Sequence, residues 1–192
     1  EQMEGSYFVD ERLNRSDIRS DPNGGQVRPG TPLALTLQIS SLNAGGCQPL
    51  AGTQVDIWHC DAQGIYSDVQ DPGFNTIGQK FLRGYQITDA RGEARFVTVY
   101  PGWYPGRTVH IHFKIRTLLM AKRSFEFASQ LYFDDELTDR IHTALPYATH
   151  GPRTARNQHD WIFRRGGDQL MLAPTTTADG YAALFAIGLQ LP

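Results

Sequence analysis

The residues with the clearest chemical potential are two histidines separated by one residue. His110 and His112 lie in the run 109–115, where apolar residues alternate with polar ones. Because successive side chains of a β-strand point to opposite faces, the two histidines and Lys114 share one face of the predicted strand. Two imidazoles on one face can bind a single metal ion, and imidazole is a common nitrogen donor for iron, copper and zinc. A half-solvated edge strand that happens to carry two histidines explains the same pattern, so the spacing alone leaves both interpretations open.

A second kind of donor precedes this strand. Residues 101–106 read Pro-Gly-Trp-Tyr-Pro-Gly, which places Tyr104 between two Pro-Gly turns shortly before His110. A deprotonated phenol is a hard, strongly donating ligand that suits a trivalent metal better than Zn(II) or Cu(I). Histidine and tyrosine together therefore favour Fe(III), with a packing role for Tyr104 as the alternative. Tyr85 and Tyr100 are competing phenol donors.

The elements that must position these residues are predicted to be mostly β-strands. Alternating hydrophobic patterns separated by turn-forming residues predict strands at 33–39, 55–59, 80–88, 93–99, 107–116, 125–133, 167–173 and 180–190. Residues 134–146 are predicted to be helical, because their acidic start suits the positive end of a helix dipole, and 150–166 are predicted to be irregular. This pattern favours an all-β fold, an antiparallel β-sandwich of the immunoglobulin or prealbumin kind with one short helix and long loops.

Length and composition limit the classes of protein to consider. A chain of 192 residues favours one domain spanning 1–192, in which the polar, turn-rich residues 1–31 form an arm packed over the sandwich. A net charge of −2 provides no basic field for nucleic acid or an anionic membrane. No run of 18 or more apolar residues predicts a membrane span, and the first residues contain no signal-peptide core.

The two cysteines, Cys47 and Cys60, allow two interpretations. A disulfide between them would close a loop of about 14 residues and would stabilise the fold by roughly 3 kcal/mol. Two unrelated buried thiols, as are common in cytosolic proteins, are the alternative.

Four segments, in order, resemble the intradiol ring-cleavage dioxygenases, the family of catechol 1,2-dioxygenase and protocatechuate 3,4-dioxygenase. The segments are EGSYFV at 4–9, VDIWHCDAQGIYS at 55–67, PGWYPGRTVHIHF at 101–113 and SQLYF at 129–133. Ser6 stands where the family usually has proline. The resemblance covers about residues 4–135 and, because four motifs occur in the right order, it is specific.

The resemblance implies a complete metal-ligand set. Tyr66 and His110 correspond to the equatorial ligands of a five-coordinate non-haem Fe(III), and Tyr104 and His112 correspond to the axial ligands. A hydroxide would complete the site. His59, although close to Tyr66 in sequence, corresponds to a structural position.

Two further residues correspond to groups beside the iron. The resemblance implies that Arg107 stabilises negative charge that develops on the substrate ring. It also implies that Gln130 orients a ligand or Arg107 by hydrogen bonding. A structural ion pair for Arg107 and an ordinary polar strand position for Gln130 are the alternatives. His142, His150 and His159 fall outside the motifs and are predicted to be surface or loop residues.

The activity implied is that of an intradiol dioxygenase in aromatic compound catabolism. Such an enzyme inserts O2 between the two hydroxylated carbons of a catechol-type substrate and yields a cis,cis-muconate-type diacid. The motifs select neither the particular catechol nor an oligomeric state. A metal-free β-sandwich binding module, and a different His/Tyr metalloenzyme such as a copper oxidase, are the competing hypotheses.

Three departures from the family pattern lead to further expectations. The stretch between Tyr104 and His110 is shorter than in the catechol and protocatechuate enzymes, which predicts a more open substrate pocket. The large helical N-terminal segment of the catechol enzymes is missing, so their dimer does not transfer to this chain. The Trp58-His59-Cys60-Asp61 variant resembles a compact extracytoplasmic branch, which favours the Cys47–Cys60 disulfide and a secreted or periplasmic location.

Overall fold

A computed structural model describes residues 1–22, 24–118 and 124–191, in which two β-sheets pack face to face. Its strands are β1 (Pro32–Asn43), β2 (Gly46–Pro49), β3 (Gln54–Trp58), β4 (Gln70–Asp71), β5 (Phe74–Asn75), β6 (Arg83–Ile87), β7 (Glu93–Val99), β8 (His110–Leu118), β9 (Ser124–Tyr132), β10 (Thr175–Thr176) and β11 (Tyr181–Leu189). The described ranges also contain one α-helix, α1 (Asp135–His142). Three short 3-10 helices lie at Tyr147–His150, Asn157–His159 and Gly167–Leu170. The predicted β-sandwich is confirmed.

The sheet that carries the candidate ligands has four antiparallel strands in the order β6-β3-β8-β9. The second sheet has five strands, in which β1 pairs with β2, β7 and β11. The β1–β11 pair is parallel, with Leu33 opposite Tyr181, and it departs from the antiparallel pattern that the sequence predicted. A further two-stranded hairpin, β4–β5, stands apart from both sheets in the described ranges.

The core lies between the two sheets and follows the predicted period of two. Leu33, Leu35, Leu37 and Ile39 of β1 are at most 1% exposed, and β8 contributes the equally buried Ile111, Phe113 and Ile115 from the opposite sheet. Each such side chain stabilises the fold by about 1.5–3 kcal/mol on burial. Since these residues face inward, the alternate residues of β8 must face outward, and these include both histidines.

Helix α1 begins where the sequence predicted and ends earlier. The Asp134 carboxylate accepts a hydrogen bond from the backbone N–H of Leu137 at 2.8 Å, which caps the N-terminus, and Asp135 and Glu136 occupy the first turn. The helix ends at His142, whereas the prediction extended it to residue 146.

The predicted strand at 167–173 is wrong. Gly167–Leu170 form a 3-10 helix, and Met171 makes an isolated bridge to Tyr132. The physical reason lies in two glycines: Gly166 has φ of 94°, and a Cβ on Gly167 would lie 2.5 Å from the Phe163 ring. The chain therefore turns tightly here, and the short strand β10 forms between the two predicted strands 167–173 and 180–190.

The predicted disulfide is also wrong, because both cysteines are free. Cys47 is exposed on β2 of the five-stranded sheet, whereas Cys60 is buried just after β3 of the other sheet. The Cys60 thiol instead contacts the backbone oxygen of Gly102 at 3.5 Å. The free cysteines therefore give no support to the predicted secreted or periplasmic location.

Residues at the start of the chain run along both sheets. The backbone N–H of Gln2 donates to Ala128 O on β9 at 3.0 Å, and that of Ile18 donates to Val97 O on β7 at 3.0 Å. Arg15 donates from Nε to Arg83 O at 3.1 Å. Within the described ranges, no helix has the length and apolar character needed to span a membrane.

Candidate active site

The outer face of β8 presents His110 and His112 between two neighbouring strands. His112 lies opposite Trp58 of β3 and Gln130 of β9, and His110 lies opposite Tyr132 of β9. The Trp58 indole stacks on the His112 imidazole with 5.0 Å between ring centroids and 7° between planes. This packing holds the His112 ring in one orientation.

The N-terminal residues cover this face and bury both imidazoles to 2% exposure. Gly5 has φ of 86°, and a Cβ there would lie 2.9 Å from Cε1 of His112, so the backbone itself packs on the imidazole. Lys114 secures the same segment, since its ammonium lies 3.2 Å from the Glu4 carboxylate and 4.8 Å from the centre of the Phe8 ring.

Two glycine contacts bring the loop that carries Tyr66 against the turn that carries Tyr104. A Cβ on Gly64, which has φ of 78°, would lie 2.3 Å from Trp103 O. A Cβ on Gly102 would lie 2.4 Å from Asp61 O. The close approach sets the two phenol rings 5.7 Å apart in an edge-to-face arrangement.

The four predicted ligands converge at one place in the structure. The Tyr104 hydroxyl lies 3.2 Å from Nε2 of His110, and that nitrogen lies 3.0 Å from Nε2 of His112. The Tyr66 ring lies 6.3 Å from the His112 ring, and its buried hydroxyl has no hydrogen-bond partner among the described residues. Buried polar groups are normally paired, so a cluster of donor atoms with an unpaired hydroxyl is typical of a site that receives a ligand.

Burial dominates the electrostatics of the cluster. It lowers the pKa of both His110 and His112 well below the usual range, so both imidazoles are neutral and carry a lone pair for a metal. Burial also raises the pKa of Tyr66 well above its usual range, with a further contribution from Tyr104, and raises the pKa of Tyr104 to about 12. The phenols would therefore lose their protons at neutral pH only beside a strong positive charge.

One hydrogen bond selects the tautomer of His110. Its Nδ1 lies 2.6 Å from Thr108 O, which has no proton to give, so Nδ1 carries the hydrogen and donates. Nε2 is then the atom with the free lone pair. This orientation matches the arrangement by which proteins usually present a histidine to a metal.

Arg107 and Gln130 lie beside the cluster and contact each other. Nη2 of Arg107 donates to Oε1 of Gln130, and Nη1 lies 3.5 Å from Nε2 of His110. Gln130 in turn donates from Nε2 to Met3 O at 3.1 Å, which links the network to the N-terminal segment. The Tyr132 hydroxyl lies 3.1 Å from the same Gln130 oxygen.

Asp160 is a site residue that sequence reasoning missed. Its fully buried carboxylate accepts hydrogen bonds from Nε of Arg107 at 2.8 Å and from the backbone N–H of Thr108 at 3.0 Å. The ion pair that was the alternative role for Arg107 is thus present, and it occurs together with the contacts to the site. Asp160 lies 53 residues from Arg107 in an irregular segment, where no local pattern distinguishes it.

The other candidate residues lie away from the cluster or are engaged elsewhere. His59 donates from Nδ1 to Cys60 O at 2.8 Å and its Nε2 lies 2.7 Å from the Thr98 hydroxyl, so neither nitrogen is available. The Tyr100 hydroxyl bonds to Thr138 at 2.7 Å, and Tyr85 lies on β6, where it bridges to Asn14.

Two of the three remaining histidines differ from their prediction as surface or loop residues. His142 lies half-buried at the end of α1, where it stacks on Tyr147 with 4.8 Å between ring centroids. His150 packs against Trp103 at 4.4 Å and lines a cavity next to the cluster. His159 is exposed, as predicted.

A cavity of about 580 Å³ meets the donor cluster at Tyr104. Its walls come from the N-terminal segment, the loop and hairpin at 63–74, the turn after Tyr104 and the 3-10 helix that ends at His150. The lining residues are Tyr7, Gln63, Gly64, Ile65, Asp71, Gly73, Phe74, Tyr104, Pro105 and His150.

Comparisons with known proteins agree with this fold. The family model described as dioxygenase matches residues 3–160. The chain is 32% identical to the protocatechuate 3,4-dioxygenase beta chain of Burkholderia cepacia over 117 residues, which are 56% of this chain and 48% of that protein. It is 39% identical to catechol 1,2-dioxygenase of Candida albicans over 92 residues, which are 44% of this chain and 27% of that protein. The chain thus spans about half, or less, of the length of these curated relatives.

A solved structure matches over nearly the whole length of both chains. An intradiol ring-cleavage dioxygenase from Tetranychus urticae is 30% identical, with a TM-score of 0.86 over 99% of this chain and 93% of that one. The fold and the matched family model together place the protein among the dioxygenases. The chain belongs to the intradiol ring-cleavage dioxygenase family.

Iron is the metal associated with this family, and the residues present fit Fe(III). The clustered side chains are two imidazoles and two phenols, and the part of the chain that the structure describes has no group of three or more His, Cys, Asp or Glu side chains that could hold a metal. Two phenolates would offset two of the three positive charges of Fe(III), and hard oxygen donors suit that ion. The unpaired Tyr66 hydroxyl is consistent with a metal ligand at that position.

Proposed function

We propose that the protein is a non-haem Fe(III) intradiol dioxygenase that cleaves a catechol-type ring between its two hydroxylated carbons and yields a cis,cis-muconate-type diacid. The observation that carries this proposal is the convergence of His110, His112, Tyr104 and the unpaired Tyr66 hydroxyl beside an open cavity. Both oxygen atoms of O2 enter the product, so the reaction needs no external reductant.

Tyr66, Tyr104, His110 and His112 would hold the iron. When bound, Fe(III) would act as a Lewis acid that binds the catechol through its two oxygens and activates the ring toward O2. Tyr104 is suited to a second role, because it belongs to the donor cluster and also lines the cavity through which a substrate would arrive. Deprotonated beside a bound metal ion, its phenolate oxygen could accept a proton from an incoming diol.

Arg107 supplies a fixed positive charge at the same place. Its Nη1 lies 3.5 Å from Nε2 of His110, and the buried Asp160 and Gln130 hold its other nitrogens. A guanidinium that is held before the reaction begins can stabilise negative charge on the substrate ring without reorganising. The N-terminal segment over His112 limits the access of water to the imidazole side of the cluster.

The test is to load the protein with iron and measure oxygen uptake with catechol. We expect one O2 consumed for each catechol, ring cleavage between the hydroxylated carbons, and both atoms of labelled O2 in the diacid. Phenolate coordination to Fe(III) should give the loaded protein a red-brown colour. A loaded protein that is colourless and consumes no oxygen with any catechol would overturn the proposal.

The same preparation separates the competing hypotheses. A metal-free binding module would retain no iron after gel filtration. A copper enzyme would retain Cu(II) in preference to iron and give the corresponding electron paramagnetic resonance signal. Retained ferric iron with cleavage outside the diol carbons would contradict the intradiol assignment while leaving the metal site intact.

A further inference from the structure

The cavity wall beyond Tyr104 carries one acidic group and neither a lysine nor an arginine. Asp71, at the end of β4, is one of the ten lining residues, and those residues include no lysine or arginine. The opposite strand of the hairpin places Phe74 directly across from Asp71. The outer part of the cavity therefore combines one carboxylate with aromatic rings.

Two hydrogen bonds hold the Asp71 carboxylate in position. Oδ2 accepts from the Tyr7 hydroxyl at 2.7 Å, and Oδ1 accepts from the backbone N–H of Gly73 at 3.0 Å. Both contacts lower the pKa of Asp71, with the Gly73 contact the larger, so this residue is ionised at neutral pH.

Tyr7 connects this carboxylate to the donor cluster. Its ring stacks on Tyr66 with 4.5 Å between centroids and meets Tyr104 edge to face at 6.2 Å. The negative charge of Asp71 thus lies one tyrosine side chain away from the predicted ligands. Because Tyr104, Asp71 and Phe74 line the same cavity, a ring substituent of a diol bound at the cluster has room to reach Asp71 and Phe74.

We propose that this wall makes the protein prefer catechols whose ring substituent is cationic, and disfavour catechols whose substituent is a carboxylate. An ammonium group near Asp71 gains Coulomb attraction, and it can also lie against the faces of Tyr7 and Phe74. A carboxylate at the same place meets a like charge and finds no arginine or lysine among the lining residues. The inference rests on the proposed function and adds a substrate class to it.

The experiment compares three diols with substituents at the same ring position: 3,4-dihydroxybenzylamine, 4-methylcatechol and 3,4-dihydroxybenzoate. For the iron-loaded full chain, kcat/KM should fall in that order, and so should affinity measured by anaerobic titration. Because Asp71 is open to solvent, we expect an amine-to-carboxylate ratio on the order of 3 to 30. The ratio should shrink as ionic strength rises.

The variant Asp71→Asn keeps a hydrogen-bond acceptor for Tyr7 and removes the charge, so the ratio should fall about 2- to 10-fold. Asp179→Asn removes one negative charge from an exposed turn outside the cavity lining and is the matched control, for which the ratio should not change. A wild-type ratio at or below one, or an unchanged ratio in Asp71→Asn, would overturn the inference.

The two proposals fail in different ways. If 4-methylcatechol is cleaved but the ratio does not follow charge, the substrate-class inference alone is wrong. If no diol is cleaved, the proposed function fails, and the anaerobic affinities still show whether the cavity distinguishes the amine from the carboxylate.

Discussion

At the residue scale, the donor atoms depend on groups that are not themselves donors. Thr108 selects the His110 tautomer, Trp58 fixes the plane of His112, and Asp160 holds Arg107. Such supporting contacts commonly affect metal affinity or activity by 10- to 100-fold when they are removed. The predictions for single residues therefore separate ligands from their supports.

His110→Ala should abolish iron retention, whereas Tyr104→Phe should retain iron with weaker turnover and lose part of the visible absorption. The reason is that His110 contacts both Tyr104 and His112 within the cluster, while Tyr104 lies at the cavity edge. Metal analysis after desalting and the visible spectrum of each variant provide the measurement. Full iron content in His110→Ala would contradict the ligand assignment.

Asp160→Asn should lower kcat by about 10- to 100-fold while iron content stays near that of the wild type. The substitution removes the charge partner of Arg107 Nε but leaves the four predicted ligands in place. Arg107→Lys, which keeps the charge and loses the fork geometry, should show a similar loss. Asp168→Asn, on an exposed 3-10 helix, is the control. Equal kcat in Asp160→Asn and the control would show that the ion pair has no part in catalysis.

At the scale of elements, the site depends on close contact between loops more than on the strands themselves. Strand β8 supplies both imidazoles. The two phenols come from the loop between β3 and β4 and from the turn between β7 and β8, which meet through Gly64 and Gly102. A side chain on either glycine would push the two backbones apart. Glycine at these positions therefore allows Tyr66 and Tyr104 to lie close together.

Gly64→Ala should lower the free energy of unfolding by about 2–4 kcal/mol and reduce iron affinity. The added methyl would lie 2.3 Å from Trp103 O at a φ of 78°, so both a clash and a left-handed backbone oppose it. Gly106→Ala is the matched control, since Gly106 has φ of 84° but has nothing within 4 Å of its Cβ position. It should lose about 1–2 kcal/mol from the backbone alone. Chemical denaturation of both variants measures the difference. Equal losses of unfolding free energy in the two variants would show that the contact between Gly64 and Trp103 does not affect stability.

At the scale of the whole molecule, buried neutral imidazoles make stability depend on pH. Burial lowers the pKa of His59 to about 4, and it lowers the pKa of His110 and His112 in the same direction. An unfolded histidine titrates near 6.5. Below that pH the unfolded chain takes up protons that the folded metal-free protein excludes, so the free energy of unfolding falls as pH falls.

For His59 alone, this loss should reach about 1.4 kcal/mol for each pH unit between roughly 6.5 and 4. His59→Gln removes the titrating group, so its stability should decline less steeply between pH 7 and pH 5. Urea denaturation of the metal-free proteins at three pH values provides the measurement, with His159→Gln, at an exposed position, as the control. Parallel pH profiles for wild type and His59→Gln would contradict this account.

Much of the architecture could be predicted from periodicity along the chain. The alternation in 33–39 and 109–115 located β1 and β8 and identified their buried faces, because a strand that covers a core must alternate. The start of the helix was likewise predicted from its acidic first residues, since their interaction with the helix dipole is local. Periodicity failed at 167–173, where two glycines and the Phe163 ring turn the chain, and it did not detect the parallel pairing of β1 with β11.

For the site, local spacing indicated two histidines and a nearby phenol, and the ordered motifs added Tyr66, Arg107 and Gln130 as predictions. The tertiary structure showed how Tyr66 meets Tyr104, which the motifs had implied only by resemblance, and it alone brought Asp160 to Arg107 and Asp71 to Tyr7. Each of these pairs joins residues that are 38 or more positions apart in the sequence. Local patterns report which face of an element a residue occupies, whereas contacts between distant loops depend on how the sheets and their connections pack. The local sequence therefore predicts that His110 and His112 share one face of a strand. Which side chains surround that face depends on the tertiary structure.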